Sequence, residues 1–243
     1  MKFGSENITP ITPTFQFSPV NLTTLGATEY TLVGIAADRS GSVSAFSREE
    51  ERALKEIISA CLKSPRADNL LIRMTRFDHH LDEVHGFKQL VDCNPVDYDG
   101  VLDARGSTAL FDATVNAIDA AAAQGKMLID DDFSANAIIF IITDGDDNVS
   151  KSTPLEVKKA IGRATQSECL ESLVTILIGV NVQDQTLSRI LTDFSKTAGF
   201  TQYVELGNAN AATLAKLADF VSRSISSQSQ SLGTGGPSQA LTF

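Results

Sequence analysis

The run TLVGIAADRSGSVSAF, residues 31–46, is apolar up to Asp38 and then places Ser40 and Ser42 at alternate positions. In an extended loop alternate side chains point the same way, so Asp38, Ser40 and Ser42 converge while Arg39 and Gly41 face away. Two further junctions offer oxygen ligands: the apolar run NAIIFIIT leads into Asp144 of TDGDDN, and DARGSTALFDA carries Thr108 close after Gly106. Asp38, Ser40, Ser42, Thr108 and Asp144 together form an all-oxygen set of two carboxylates and three hydroxyls. Hard divalent cations favour such a set; Mg²⁺ takes it in near-octahedral geometry at roughly 2.0–2.1 Å and keeps several waters. If both carboxylates act through water, the ion stays electrophilic and can accept a carboxylate from a partner.

For these residues to meet, three junctions must lie at one edge of one sheet. TLVGIAA reads as a strand, and SREEERALKEIISACLK as an amphipathic helix with Leu54, Ile57, Ile58 and Cys61 on one face. NLLIRMTRF and LDEVHGFKQL are joined by a turn near residues 78–80, too short for a crossover helix, so they pair antiparallel at the sheet edge. TALFDATVNAIDAAAAQGK is helical by its alanines and is expected to close near Gly125. NAIIFIIT is apolar on both faces, as in a central parallel strand. TPLE starts a helix, with Thr153 as N-cap, Pro154 first and Glu156 reaching back in a capping box. LVTILIGV is a strand, TLSRILTDFSKTAG a helix closed by Gly199, TQYVEL the last strand and AATLAKLADFVSRSI the last helix.

The order β-α-ββ-α-β-α-β-α-β-α predicts a doubly wound α/β domain with a mostly parallel sheet, in which ligands bind at the carboxyl ends of the strands. Residues 1–29 are expected as an extended arm, 30–225 as the domain, and the Ser/Gln/Gly-rich residues 226–243 as a disordered tail.

Composition narrows the class. With 42% hydrophobic and 21% charged residues the chain reads as an ordinary soluble globular protein. A formal charge of −10 disfavours nucleic acid and anionic membrane as partners. No apolar run is long enough to cross a bilayer, and the N-terminal stretch lacks the apolar core of a secretory signal, so a cytoplasmic location is expected. Cys61, Cys93 and Cys169 show no metal-like spacing; Cys61 and Cys169 read as small core residues.

The three-part signal resembles the metal-ion-dependent adhesion site (MIDAS) of the von Willebrand factor A (vWA) domain family. DRSGS, the threonine of GSTALFDA and the aspartate of TDGDD agree with it in order and spacing, and matching elements cover about residues 30–225. The resemblance implies a Rossmann-like six-stranded sheet with one antiparallel edge strand and helices on both faces. It implies a non-enzymatic, protein-binding role in which a partner presents an Asp or Glu. By the same resemblance Ser40, Ser42 and Thr108 touch the ion, while Asp38 and Asp144 bind it directly or through water. The ion would be Mg²⁺, with Mn²⁺ or Ca²⁺ as alternatives. The GSTALFDA form is more similar to intracellular bacterial or phage members, which often accompany an AAA+ ATPase or a stress or defence assembly; the chain itself has no ATP-binding P-loop.

Other readings compete residue by residue. Asp38, Ser40 and Ser42 on their own would also suit a capped loop before a helix. Asp146 and Asp147 read as a solvated, lightly constrained acidic turn, Asp112 as a supporting or capping residue, and the run 130–132 as a loop. His79, His80 and His85 read as an exposed edge turn rather than a transition-metal site. Asp144 with Asp146 leaves open a Mg²⁺-dependent phosphotransfer or nuclease enzyme of Toprim-like type, although no glutamate follows the first strand. A structural scaffold whose metal site serves no partner is the remaining alternative.

Overall fold

The computed structural model describes residues 9–12, 15–236 and 241–243. A six-stranded sheet runs in the spatial order β5-β4-β3-β6-β7-β8. Its strands are β3 (Glu29–Asp38), β4 (Leu70–Phe77), β5 (Leu81–Gln89), β6 (Ser134–Thr143), β7 (Leu173–Gly179) and β8 (Gln202–Glu205). All neighbours are parallel except β4 and β5, whose short connection makes them an antiparallel edge pair as the sequence predicts. Two shorter strands, β1 (Thr9–Thr12) and β2 (Phe15–Phe17), pair with each other outside this sheet.

The helices are α1 (Ser47–Cys61), α2 (Leu110–Asp130), α3 (Pro154–Gln166), α4 (Gln185–Ala198) and α5 (Ala211–Thr234). The central strands alternate their side chains between two cores. Val33, Ile35, Ala37, Ile138, Phe140 and Ile142 pack under α1 and α5. Leu32, Ala36, Ala137, Ile139 and Ile141 pack under α2, α3 and α4. Burial on both faces explains why β3 and β6 are apolar throughout rather than alternating.

Local signals hold where they depend on one turn of chain. Thr153 Oγ1 accepts from the Glu156 N–H while Glu156 Oε2 accepts from the Thr153 N–H at 2.7 Å, completing the capping box. Gly199 closes α4 in the left-handed conformation at φ 80°.

Gly125, by contrast, does not end α2, which runs on to Asp130. A β-carbon there would lie 2.4 Å from the Cys169 carbonyl oxygen, so this glycine serves a close approach between α2 and the β7 entry loop. The last helix likewise runs past the expected boundary at 225, and residues 226–234 are helical rather than a disordered tail. Gln228, Ser229 and Leu232 are buried, and Gln228 Nε2 donates to the Ala137 carbonyl at 3.2 Å while Asn136 Nδ2 donates to the Gln228 carbonyl at 2.8 Å. The polar composition there reflects hydrogen bonding to the sheet. Within the expected arm, Phe17 and Val20 are buried, the Ser18 carbonyl accepts from the Phe87 N–H, and the Val20 N–H donates to Gln124. Residues 1–8, 13–14 and 237–240 of the arm and tail lie outside the described residues.

The glycine contacts yield a graded expectation. Alanine at 125 would gain about 1 kcal/mol of helix propensity, whereas overpacking against fixed backbone costs about 1–3 kcal/mol. Gly125→Ala is therefore expected to lower the urea midpoint. Gly34→Ala, whose β-carbon would meet only the flexible Ile139 Cδ1 at 2.7 Å, should lower it less.

Candidate functional site

The sheet reverses its winding between β3 and β6, and the carboxyl ends of these two strands lie side by side, with Ala37 opposite Ile142. Open α/β sheets place ligands at such a switch point. Asp38 ends β3 and Asp144 follows β6, so neighbouring strands deliver both carboxylates to one edge.

A chain of hydrogen bonds links the cluster. Asp38 Oδ1 accepts from the Ser40 N–H at 2.7 Å, and Asp38 Oδ2 accepts from Thr143 Oγ1 at 2.6 Å. Ser40 Oγ lies 3.1 Å from Ser42 Oγ, and Ser42 Oγ donates to Asp144 Oδ1 at 2.7 Å. Thr108 completes the group across Gly145: a β-carbon on that glycine would lie 3.6 Å from Thr108 Oγ1 and 4.0 Å from Ser42 Oγ. All five residues singled out from the sequence thus converge. Asp38, Ser40 and Thr108 are buried, Asp144 is half-buried and Ser42 is exposed.

Backbone bonds stitch the loops beneath these side chains. The Gly41 N–H donates to the Gly106 carbonyl, the Arg105 N–H to the Arg39 carbonyl, and the Ala109 N–H to the Asp78 carbonyl. Gly106 sits at φ 73°, and a β-carbon there would collide with His79 Nδ1 at 2.4 Å, so the loop needs glycine.

Several functional neighbours carry little sequence signal. Thr143, at the end of an apolar run, bridges Asp38 and Gly145. Asp147 is not a lightly constrained turn residue: it accepts from the Phe111 N–H at 3.1 Å and from the Ser150 N–H, capping α2 from another loop. Asn148 Oδ1 accepts from the Thr108 N–H at 2.9 Å, while the Asn148 N–H donates to the Thr108 carbonyl. Asp112 accepts from the Lys151 and Ser152 N–H groups, in keeping with a supporting role. Asp146 is exposed.

Arg39 faces away from the cluster, as alternation requires, but into the protein rather than into water. Its fully buried guanidinium meets Asp78 at 3.2 Å, Asp82 at 2.5 Å and Asp103 at 3.0 Å. This network ties the Asp38–Ser42 loop to the β4–β5 turn. His79 and His80 in that turn are exposed, whereas His85 is half-buried against Tyr98, and burial pushes its imidazole down to about 4.

The electrostatics suit a cation. Burial pushes the Asp38 carboxyl up from 3.8 to about 6, the Asp144 charge adds to this, and the bonds from Thr143 and Ser40 offset part of it. Burial raises Asp144 as well, offset by Ser42. Neither carboxylate has an ion-pair partner among the described residues. The donor set therefore fits a hard divalent ion with retained waters. It is not a self-sufficient cage, for no cluster of three or more His, Cys, Asp or Glu side chains suited to a metal occurs among the described residues. The larger concavities lie elsewhere, along the outer edge between residues 16–24 and β5.

Against known proteins, no family model matches the chain, and neither does any curated protein sequence. Solved structures do match. The chain is similar to a D319A mutant of the PilB minor pilin from Streptococcus sanguinis, with a TM-score of 0.62 and 13% identity over 88% of this chain and 65% of that one. The pilus adhesin SpaC from Lactobacillus rhamnosus GG matches with a TM-score of 0.59 and 9% identity over 83% of this chain and 31% of the adhesin. Proximal thread matrix protein 1 from the mussel byssus, solved with a zinc-occupied MIDAS motif, matches with a TM-score of 0.54 and 17% identity over 83% of this chain and 47% of that one. The chain spans less than two thirds of each of these proteins. At these identities the likeness concerns the fold, which is the Rossmann-like α/β fold of vWA domains.

A carboxyl with a higher pKa folded than unfolded binds more protons when folded. Its stabilisation is therefore complete below the unfolded value and is lost as pH rises through the folded value. For Asp38, from 3.8 to about 6, this amounts to about 3 kcal/mol. In EDTA, wild type should lose stability relative to Asp38→Asn by up to that amount between about pH 4 and pH 7, as read by denaturant midpoints.

Proposed function

We propose that the chain is a divalent-metal-dependent protein-interaction module, in which Asp38, Ser40, Ser42, Thr108 and Asp144 hold a Mg²⁺ ion and an Asp or Glu of a partner protein binds there. The observation that carries this reading is the convergence of two carboxylates and three hydroxyls from three loops at the switch point, without an ion-pair partner for either carboxylate among the described residues. A bound ion would supply a Lewis-acidic position for the partner's carboxylate. Ser40, Ser42 and Thr108 present hydroxyl oxygens to that position. Asp38 is held by Thr143 and by the Ser40 N–H, which suits a carboxylate acting through water. Asp144, half-buried and held by exposed Ser42, suits a carboxylate that changes between direct and water-mediated contact.

The fold shared with pilus adhesion proteins and a byssus matrix protein supports a binding role over a catalytic one. A place beside an AAA+ ATPase, or in a bacterial or phage stress or defence assembly, is also part of the proposal and rests on the form of the GSTALFDA motif. Among the described residues no helix is long and apolar enough to cross a membrane. The cytoplasmic expectation draws no support from the pilus and byssus proteins; it rests on the sequence.

Asp38→Ala is a poor probe of the site, because it would strip partners from a buried hydroxyl and a backbone N–H. Ser42→Ala and Asp144→Ala act at the accessible side. The full chain is expected to retain a partner from lysate with Mg²⁺ and to release it with EDTA, and either variant should cut retention at least tenfold. Mg²⁺ should also raise the melting temperature of wild type and not of Asp144→Ala; binding at a hundredfold excess over Kd is worth about 2.7 kcal/mol. The same proteins retained in every arm would leave the scaffold reading in its place.

A further inference from the structure

Helix α1 buries the stripe Glu50, Ala53, Leu54, Ile57, Ile58 and Cys61 against the sheet. The spacing is that of one helical face, and every member but the first is apolar or weakly polar. Glu50 is 2% exposed, and its Oε1 has no hydrogen-bond partner among the described residues. A leucine there would continue the stripe without burying a charge. Burial holds the Glu50 carboxyl well above the usual range, and the charges of Asp38 and then Asp144 push it further, so Glu50 lies within the field of both site carboxylates. It makes no hydrogen bond to the Asp38–Ser40–Ser42–Asp144 chain.

A buried, unpartnered acid beside two other acids destabilises the chain by itself. A divalent cation between them reverses that sign, because the same three charges then face an opposite one of double magnitude. We propose that Glu50 is a third acidic group of this site, a positioning residue one helical turn into α1 whose carboxylate strengthens the cluster's hold on a divalent cation without touching it. The proposal rests on the divalent-ion reading above and adds to it a residue outside the motif. It also accounts for the cluster's shortage of carboxylates, since the extra charge comes from below the hydroxyls.

The test is Mn²⁺ binding to the full chain, measured by electron paramagnetic resonance and calorimetry, for wild type, Glu50→Gln and Glu49→Gln. The last makes the same change in net charge on the same turn, at a partly exposed residue. Glu50→Gln is expected to bind Mn²⁺ at least tenfold more weakly, Glu49→Gln within twofold of wild type. In EDTA, Glu50→Gln should melt no lower than wild type, a result that general disruption of the fold cannot produce. Should the amide fail to fold, Glu50→Leu, which matches the rest of the stripe, carries the same measurements. Tight Mn²⁺ binding by wild type that persists within twofold in Glu50→Gln would overturn the proposal while leaving the ion reading intact. Destabilisation of both Glu50 variants without metal would overturn it too, by making Glu50 a structural group. Absence of binding by wild type at millimolar Mn²⁺ would defeat the ion reading and this inference together.

Discussion

Parallel pairing of β3 with β6 at the middle of the sheet brings two carboxylates to adjacent strand ends, and much of the local structure answers the charge problem this creates. Asp38 and Asp144 are desolvated and close enough for each to feel the other's charge. Water, the usual remedy for such a pair, is limited by burial. The remedies the chain provides are hydroxyls: Thr143 for Asp38 and Ser42 for Asp144. Hydroxyls lower the cost without cancelling the charge, which leaves the site negative and poised for a cation.

Alternation along one short loop handles opposite charges in opposite directions. Between Asp38 and Ser40, Arg39 turns its guanidinium inward to three aspartates, of which Asp78 is itself fully buried. A buried guanidinium requires this number of partners, because desolvating it singly would be prohibitive. The same pairing fixes the loop's position relative to the β4–β5 turn, so the ion network below and the oxygen cluster above hold one another's geometry. Glu50 stands apart from both arrangements as a buried acid whose Oε1 lacks a hydrogen-bond partner among the described residues.

The two cores support this edge from either side. Helices α1 and α5 cover one face and α2, α3 and α4 the other, so β3 and β6 are clamped along their length and their ends have little freedom. Buried polar groups such as Asn136 and Gln228 fasten α5 to β6 far from the site, at the opposite end of that strand. Their role is architectural: they extend the covering helix over sheet that would otherwise be exposed.

What the sequence determined by itself is whatever repeats within a strand or a turn: the alternation that aims Asp38, Ser40 and Ser42 together, the capping box at Thr153, the stop at Gly199 and the order of the elements. Period and capping chemistry are local, so they can be read without knowing what packs where. The tertiary structure alone decided which distant groups meet. Thr143 reaches Asp38 across 105 positions and Ser42 reaches Asp144 across 102, and no local pattern marks either pairing. The same holds for Asp147 and Asn148, which look like turn residues until α2 and Thr108 arrive beside them. Gly125 and the polar end of α5 read as terminators by composition; close approach to Cys169 and bonds to β6 made them interior instead. In each case a contact between remote segments outweighed a local propensity worth about 1 kcal/mol or less per residue.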